Sequence, residues 1–342
     1  MSKATCAVLL LALMACEPAT VRGPSEQAAL DHLVWPPAPA EQQVAFVMSF
    51  TSPEDLGIKK GLMQRLGELI SGPKNIHLVR PMAVTVTPDG TIFVADPGAE
   101  GVHRFDHKGA SYHLIRRENG RVLPSPVALV TGPVGEVYVS DSRLSGLFVI
   151  EPGATEAVQV PLYGLLAQPT GVALDPGSGR IYLVDTGDHK VKVFARDGAL
   201  LTTFGQRGTG DGEFNFPTMI WRNKKGEFLV ADTLNFRIQV FDEFGRFLRK
   251  FGEIGNSTGY HAQPKGIAAD SEGHIYVVDS VFHTMQVFDP SGTFLLNIGQ
   301  QGQRIGEFWL PTGIFIGEQD TIYVADSYNK RVQVFRHLRA TP

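Results

Sequence analysis

Six near-copies of one short motif, a proline opening each copy, and turn-forming Gly and Pro along the whole chain predict an all-β fold, a six-bladed β-propeller. The motif reads Gly90-Thr-Ile-Phe-Val-Ala-Asp96, Gly135-Glu-Val-Tyr-Val-Ser-Asp141, Gly179-Arg-Ile-Tyr-Leu-Val-Asp185, Gly226-Glu-Phe-Leu-Val-Ala-Asp232 and Gly273-His-Ile-Tyr-Val-Val-Asp279. The last copy, Asp320-Thr-Ile-Tyr-Val-Ala-Asp326, has Asp in place of Gly. The opening prolines are Pro81, Pro126, Pro169, Pro217, Pro264 and Pro311. A repeat of about 45 residues holding several short strands is the signature of propeller blades.

The fourth copy shows the plan of a blade. An inner strand near 218–221 turns at 223–226 into a second strand, 227–231. The loop 232–236 leads to a third strand, 237–241, and a turn at 243–245 leads to a fourth, 246–251. The second strands are continuously apolar and do not alternate, which means both of their faces are buried. Neighbouring blades supply that double burial. The fourth strand is more polar, as an outer rim should be.

Ring closure follows from what the last copy lacks. Asp232 is followed by an outer strand ending near Phe251, but too few residues remain between Asp326 and Pro342 for an equivalent. The apolar stretch Val44–Phe50 stands before the first copy and can fill that place. Pairing the two ends of the chain in one blade removes exposed sheet edges. The expected organisation is a leader over 1–15, a tether over 16–41 and one propeller over 42–342.

Composition narrows the function classes. Hydrophobic residues make up 43% and charged residues 19%, which excludes a disordered polyelectrolyte. A formal charge of −4 argues against nucleic-acid binding, which draws on surplus Lys and Arg. At the amino end Lys3 precedes an apolar stretch, 7–15, too short to span a bilayer. The break Leu13-Met14-Ala15-Cys16 resembles the lipobox of bacterial lipoproteins. That resemblance implies acylation of Cys16, cleavage before it, and a cell-envelope location with membrane attachment through lipid only. Glu17 after the cysteine favours the periplasmic face of the outer membrane if the cell is Gram-negative. Cys6 lies in the segment to be removed, so no thiol chemistry or disulfide is expected in the mature domain. Pro18, Pro24, Pro36, Pro37 and Pro39 give 16–41 the composition of an extended tether.

The stretches Asp232-Thr-Leu-Asn-Phe-Arg-Ile-Gln-Val-Phe241 and Asp326-Ser-Tyr-Asn-Lys-Arg-Val-Gln-Val-Phe335 resemble the NHL-repeat family of six-bladed propellers. The linkers 205–214 and 299–308 fit the same pattern, and the likeness covers about 44 to 337. It speaks for fold more than for function, because propellers host many activities. The recurring Asp96, Asp141, Asp185, Asp232, Asp279 and Asp326, with Arg237 and Arg331, read as structural. Each Asp accepts turn N–H groups and pairs with Arg where one is present. A catalytic or metal-binding ring of carboxylates is the competing reading, but a site is normally unique whereas this group recurs. The Gly-rich linker 208–212 lacks the spacing of a phosphate-binding loop.

No catalytic residues and no metal ligands are assigned. His189 and His283 occupy equivalent loops of the third and fifth copies, and His261 enters the fifth. His103, His107 and His113 cluster in the first copy. Peptidyl-hydroxyglycine lyases, which are similar in fold, carry metal-binding histidines just after the opening proline. Here those places hold Met82, Val127, Thr170, Thr218, Lys265 and Thr312. Lactonase-type propellers direct carboxylates and amides into the channel, and Asp175 and Asp270 fall at strand ends instead. The expectation is therefore no cofactor, the alternative being a divalent zinc or calcium ion in the central channel serving a lyase or hydrolase.

Two departures from the repeat carry functional weight. The stretch between Phe50 and Pro81 is longer than its counterparts, and Ile58, Leu62, Leu66, Leu69 and Ile70 share one face of an expected helix over about 57–71. That helix reads either as a lid or docking element or as a plug at the closure seam. The first two copies also lose the Asn and Arg of the loop, through drift or as a specialised binding edge. The expected protein is a monomeric binding or scaffold module for a protein or cell-envelope ligand. Its candidate contacts at the mouth bearing the linkers are Lys265, His261, His283, Arg207, Tyr328, Leu62 and Leu66.

Overall fold

Each proline-opened copy folds into one antiparallel sheet whose strands run in chain order from the centre of a ring outward. The computed structural model describes residues 33–37, 40, 43–59, 76–162 and 166–338. Blade three is Pro169–Leu174, Ile181–Asp185, Lys190–Phe194 and Leu200–Phe204. Blade four is Pro217–Arg222, Phe228–Asp232, Arg237–Phe241 and Phe247–Phe251; blade five is Pro264–Ala269, Ile275–Asp279, Thr284–Phe288 and Phe294–Ile298. The inner strands of successive blades touch around the whole ring, including blade six against blade one.

Burial explains the continuous apolarity of the second strands. All five residues of Ile92–Asp96, Val137–Asp141, Ile181–Asp185, Phe228–Asp232 and Ile275–Asp279 are buried, because each strand lies between two neighbouring blades. Tyr182 of blade three stacks on Phe228 of blade four at 3.9 Å, and its hydroxyl donates to the Glu243 carbonyl. The outer strands Leu200–Phe204 and Phe247–Phe251 are partly or fully exposed along their length. The inner strands pack so closely that a side chain at Gly313 would meet the Met82 carbonyl at 2.4 Å, and one at Gly266 the Thr312 carbonyl at 2.5 Å.

Blade six contains Pro311–Ile316, Thr321–Asp326 and Arg331–His337, and its fourth strand is Val44–Phe50. The closing pair is antiparallel, with Val44 opposite His337 and Phe50 opposite Val332. The two ends of the closing strand, Val44 and Phe50, are buried, and the residues between them are half-exposed or exposed. The tether differs from expectation at its far end. Val34–Trp35 adds a fifth strand to blade six, pairing with Ala45 and Val44, and the Trp35 ring stands edge-on to Phe335 at 5.7 Å. The apolar triplet Leu33-Val34-Trp35 is half-buried there, a local signal that proline-rich composition concealed.

Blades one and two are joined. Ser111–Arg117, the outer strand of blade one, pairs in parallel with Glu156–Gln159, the outer strand of blade two, so that the two blades form one eight-stranded sheet. The expected helix over 57–71 falls almost wholly outside the described residues, and with it Leu62 and Leu66. The described residues before it form a short 3-10 turn, Glu54–Leu56, closed by Gly57 in the left-handed region.

Candidate ligand vestibule at the linker mouth

The residue following each opening proline lies where the inner strands begin, at the mouth that carries the linkers. Met82, Val127, Thr170, Thr218, Lys265 and Thr312 line a vestibule of about 510 Å³ there, with Phe216, Leu234 and Met219 among its apolar walls. Among the described residues its lining contains no His, Asp or Glu.

The hydroxyl groups of this mouth are already committed. Thr186, Thr233 and Ser280, each directly after a motif aspartate, donate to the carbonyls of Pro217, Pro264 and Pro311 of the next blade. Since each hydroxyl has one proton, Thr170 and Thr218 must be the donors to Thr186 and Thr233, both at 2.7 Å. Thr312 donates to the Met82 carbonyl at 2.9 Å. These bonds stitch blade to blade, and they leave the threonines with lone pairs and no spare proton. The stitching residue was missed from sequence, although Ser or Thr follows the motif aspartate in every copy but the first.

Blade five breaks the pattern, because Lys265 stands where Thr170, Thr218 and Thr312 stand in their blades. Burial holds its ammonium below the ordinary lysine range, and no ion-pair partner for it occurs among the described residues. It is the only charged group among the described residues of the lining. Around the vestibule, Phe216, Leu234, Val281, Leu310 and Tyr328 are exposed on blades four to six and form an apolar crescent. Tyr328 rests on Trp309 with ring centroids 4.4 Å apart.

The other expected contacts divide. His283 is on the rim, but its Nδ1 accepts the Leu310 N–H at 3.0 Å; His189 accepts from Phe216 in the same way at 3.1 Å. Arg207 is exposed on its linker and does not line the vestibule. His261 requires a correction: it is wholly buried and presents nothing to a ligand. It occupies the core position filled by Phe214 and Phe308 in the other long linkers, packed beside Phe288 and Gly252.

The motif aspartates sit away from the channel, under the linkers. Asp232 accepts from the backbone of Asn215 and from the side chains of Asn235, Arg237 and Gln239. Arg237 in turn donates to the carbonyls of Thr209, Gly210 and Glu213, fastening the linker. Asp326 and Arg331 repeat the arrangement. In blade three Lys192 reaches Asp185 at 2.8 Å, while in blade one His103 lies 3.3 Å from Asp96 and bonds to Tyr112. Asp141 and Asp279 accept backbone N–H groups from their own loops.

A second cavity of about 870 Å³ opens at the opposite mouth, lined by aliphatic residues with Trp221, Phe315 and Tyr323. Arg222 there is paired with Asp175 at 3.0 Å.

The chain matches a model described as a 6-bladed beta-propeller over residues 270–336 and the NHL repeat over residues 166–194. The human E3 ubiquitin-protein ligase NHLRC1 is 36% identical over 55 residues, 16% of this chain; the match spans only 14% of the ligase. Among solved structures, virginiamycin B lyase from Staphylococcus aureus superposes with a TM-score of 0.56 at 15% identity, covering 76% of this chain and 96% of the lyase. An auxiliary nutrient binding protein from Bacteroides thetaiotaomicron reaches 0.61 at 11% identity, covering 78% and 71%. A putative gluconolactonase reaches 0.58 at 15% identity, covering 77% and 91%. At these identities the likeness to solved structures concerns the fold alone. By strand order and blade number the chain is a six-bladed β-propeller, and its third blade matches the NHL repeat.

Proposed function

We propose that this propeller is a recognition module of the cell envelope, anchored by a lipidated Cys16, whose linker mouth binds an amphiphilic ligand through one anionic group. The observation that carries this reading is Lys265. A lone ammonium in a vestibule with no carboxylate costs stability, because burial disfavours its charge and nothing in the lining repays it. A carboxylate on the ligand supplies the missing partner, and the crescent of Phe216, Leu234, Val281, Leu310 and Tyr328 supplies an apolar bed beside it. The threonine lone pairs accept from any hydroxyl or amide N–H that enters.

Short-chain ions test the reading. Hexanoate is expected to protect the protein against thermal unfolding, and hexylammonium of equal length is not. Lys265→Met should weaken hexanoate binding by about tenfold or more. The same variant should raise the Tm of the unliganded protein by about 2–4 °C, since it removes a desolvated charge. Equal protection by both ions, or hexanoate binding unchanged in Lys265→Met, overturns the assignment.

A further inference from the structure

Away from the linker mouth, the structure brings together a set of metal-ligating side chains at the opposite end of the ring, where blade five meets the last strand of blade six. Asp270 and Glu272 lie in the turn that leads into Ile275–Asp279, His274 ends that turn, and His337 ends the strand Arg331–His337. One donor atom each from Asp270, His274 and His337 lie within 4.8 Å of one another. We propose that Asp270, Glu272, His274 and His337 form a structural site for a divalent transition metal, zinc by the chemistry of its donors, that clasps blade five to the closing blade.

The group is prearranged. The Asp270 carboxylate has no side-chain exposure, and its Oδ1 accepts the N–H groups of Glu272, Gly273 and His274 at 3.0, 2.8 and 2.9 Å. This leaves Oδ2 facing His274 Nδ1 at 2.9 Å and the Tyr276 hydroxyl at 3.1 Å. The Tyr276 hydroxyl also lies 3.1 Å from His337 Nδ1. Having given its own proton to Asp270, the hydroxyl accepts one from His337 Nδ1, which turns the Nε2 lone pair of His337 outward. Nε2 then faces Glu272 Oε2 at 3.9 Å, and the same oxygen lies 4.0 Å from His274 Nδ1. Lone pairs and carboxylate oxygens are thus aimed at one small volume, and neither carboxylate has a Lys or Arg ion-pair partner among the described residues.

Donor type selects the metal. Two imidazoles with carboxylates suit zinc, whereas calcium and magnesium prefer oxygen alone. Tetrahedral zinc at about 2.0–2.1 Å from each donor needs donor atoms a little over 3 Å apart. The spacings run from 2.9 Å to at most 4.8 Å and reach that value when each donor of the widest pair moves by about 1 Å. Tyr276 acts as the outer partner that orients His337, a usual feature of such sites. None of the four residues lines the vestibule or the cavity at the opposite mouth, and the group lies beside the closure seam, since His337 pairs with Val44. Its role is therefore to hold the ring shut.

The full-length protein, stripped by chelation and then titrated with zinc, calcium or magnesium, tests the site. One zinc per chain is expected, with a Tm rise of about 5 °C when free zinc is a hundredfold above its dissociation constant. Calcium and magnesium should give no such shift. His274→Ala and His337→Ala should each lose the zinc-dependent rise. Cobalt substitution keeps the proposal open to refutation should those variants fail to fold: the wild-type chain should show the intense visible absorption of a four-coordinate centre. Absence of stoichiometric zinc, an equal response to calcium, a zinc shift surviving in both variants, or the weak spectrum of six-coordinate cobalt overturns it. Lys265 plays no part in these outcomes, so they stand apart from the test with hexanoate.

Discussion

Arg237 donates its Nε–H to Asp232 Oδ2 at 2.8 Å, with both side chains buried. The guanidinium spends three of its four remaining N–H donors on linker carbonyls, so the pair fixes the passage from blade three to blade four. Arg237→Ala leaves a buried carboxylate without its countercharge and takes one donor from each of three linker carbonyls, of which those of Gly210 and Glu213 keep another, from Glu213 N–H and Gln239. A loss of about 3–5 kcal/mol in unfolding free energy is expected, measured by denaturant titration. Arg237→Lys should recover little of it, because an ammonium cannot reproduce the planar fork. Hexanoate binding by the folded fraction should be unaffected. Near-wild-type stability for Arg237→Ala would contradict this structural assignment.

His261 gives a prediction about pH. Burial pushes its imidazole down to about 4 from an ordinary 6.5. Neither ring nitrogen has a hydrogen-bond partner among the described residues. The unfolded chain takes up a proton below about pH 6.5 that the folded chain refuses until about pH 4. Stability from this residue is therefore fully present above pH 6.5 and is lost as pH falls across that window, by about 3 kcal/mol in all. His261→Phe restores the residue type of Phe214 and Phe308 and should remove this slope. The variant's advantage over the wild type, read from unfolding curves, should grow by about 2–3 kcal/mol between pH 7 and about pH 4.5. An advantage that does not change with pH would count against the buried neutral imidazole.

Blade number, strand order and closure were legible because each rests on a pattern that repeats. Proline, glycine and aspartate recur at fixed places, and the apolar second strands state their own double burial. Residues 218–221 and 227–231 were expected as strands; Pro217–Arg222 and Phe228–Asp232 form them. What was not legible depends on single substitutions inside that pattern. His261 looks like an exposed loop histidine until it is aligned with Phe214, and Lys265 looks like a rim residue until its neighbours prove to be spent hydroxyls. The parallel pairing of Ser111–Arg117 with Glu156–Gln159 joins two blades edge to edge, and no local periodicity announces it. His274 and His337, far apart in sequence, meet only because blade six packs against blade five.

The lipid anchor rests on the sequence around Cys16 and is open to direct measurement. Expressed in a bacterial host with labelled palmitate, the wild-type chain should incorporate label and sediment with membranes. Cys16→Ala should do neither, while its propeller keeps the same unfolding midpoint. Label retained in Cys16→Ala would refute attachment at this residue.

Closure by Val44–Phe50 makes the strongest demand on the fold. Phe50 is buried opposite Val332, and its ring meets Phe105 of blade one edge-on at 5.6 Å, so one side chain binds the first blade to the last. Phe50→Ala should cost about 3–5 kcal/mol, the usual penalty for emptying a packed aromatic site. Deleting residues 1–50 goes further, because Arg331–His337 then presents a bare edge that other chains can pair with. The truncated protein is expected to associate into dimers or larger species on size-exclusion chromatography with light scattering. A synthetic peptide of residues 43–51 should bind the open edge, restore the monomer and raise the midpoint. A truncated chain that stays monomeric, unfolds at the wild-type temperature and ignores the peptide would show that the ring does not need its amino-terminal strand.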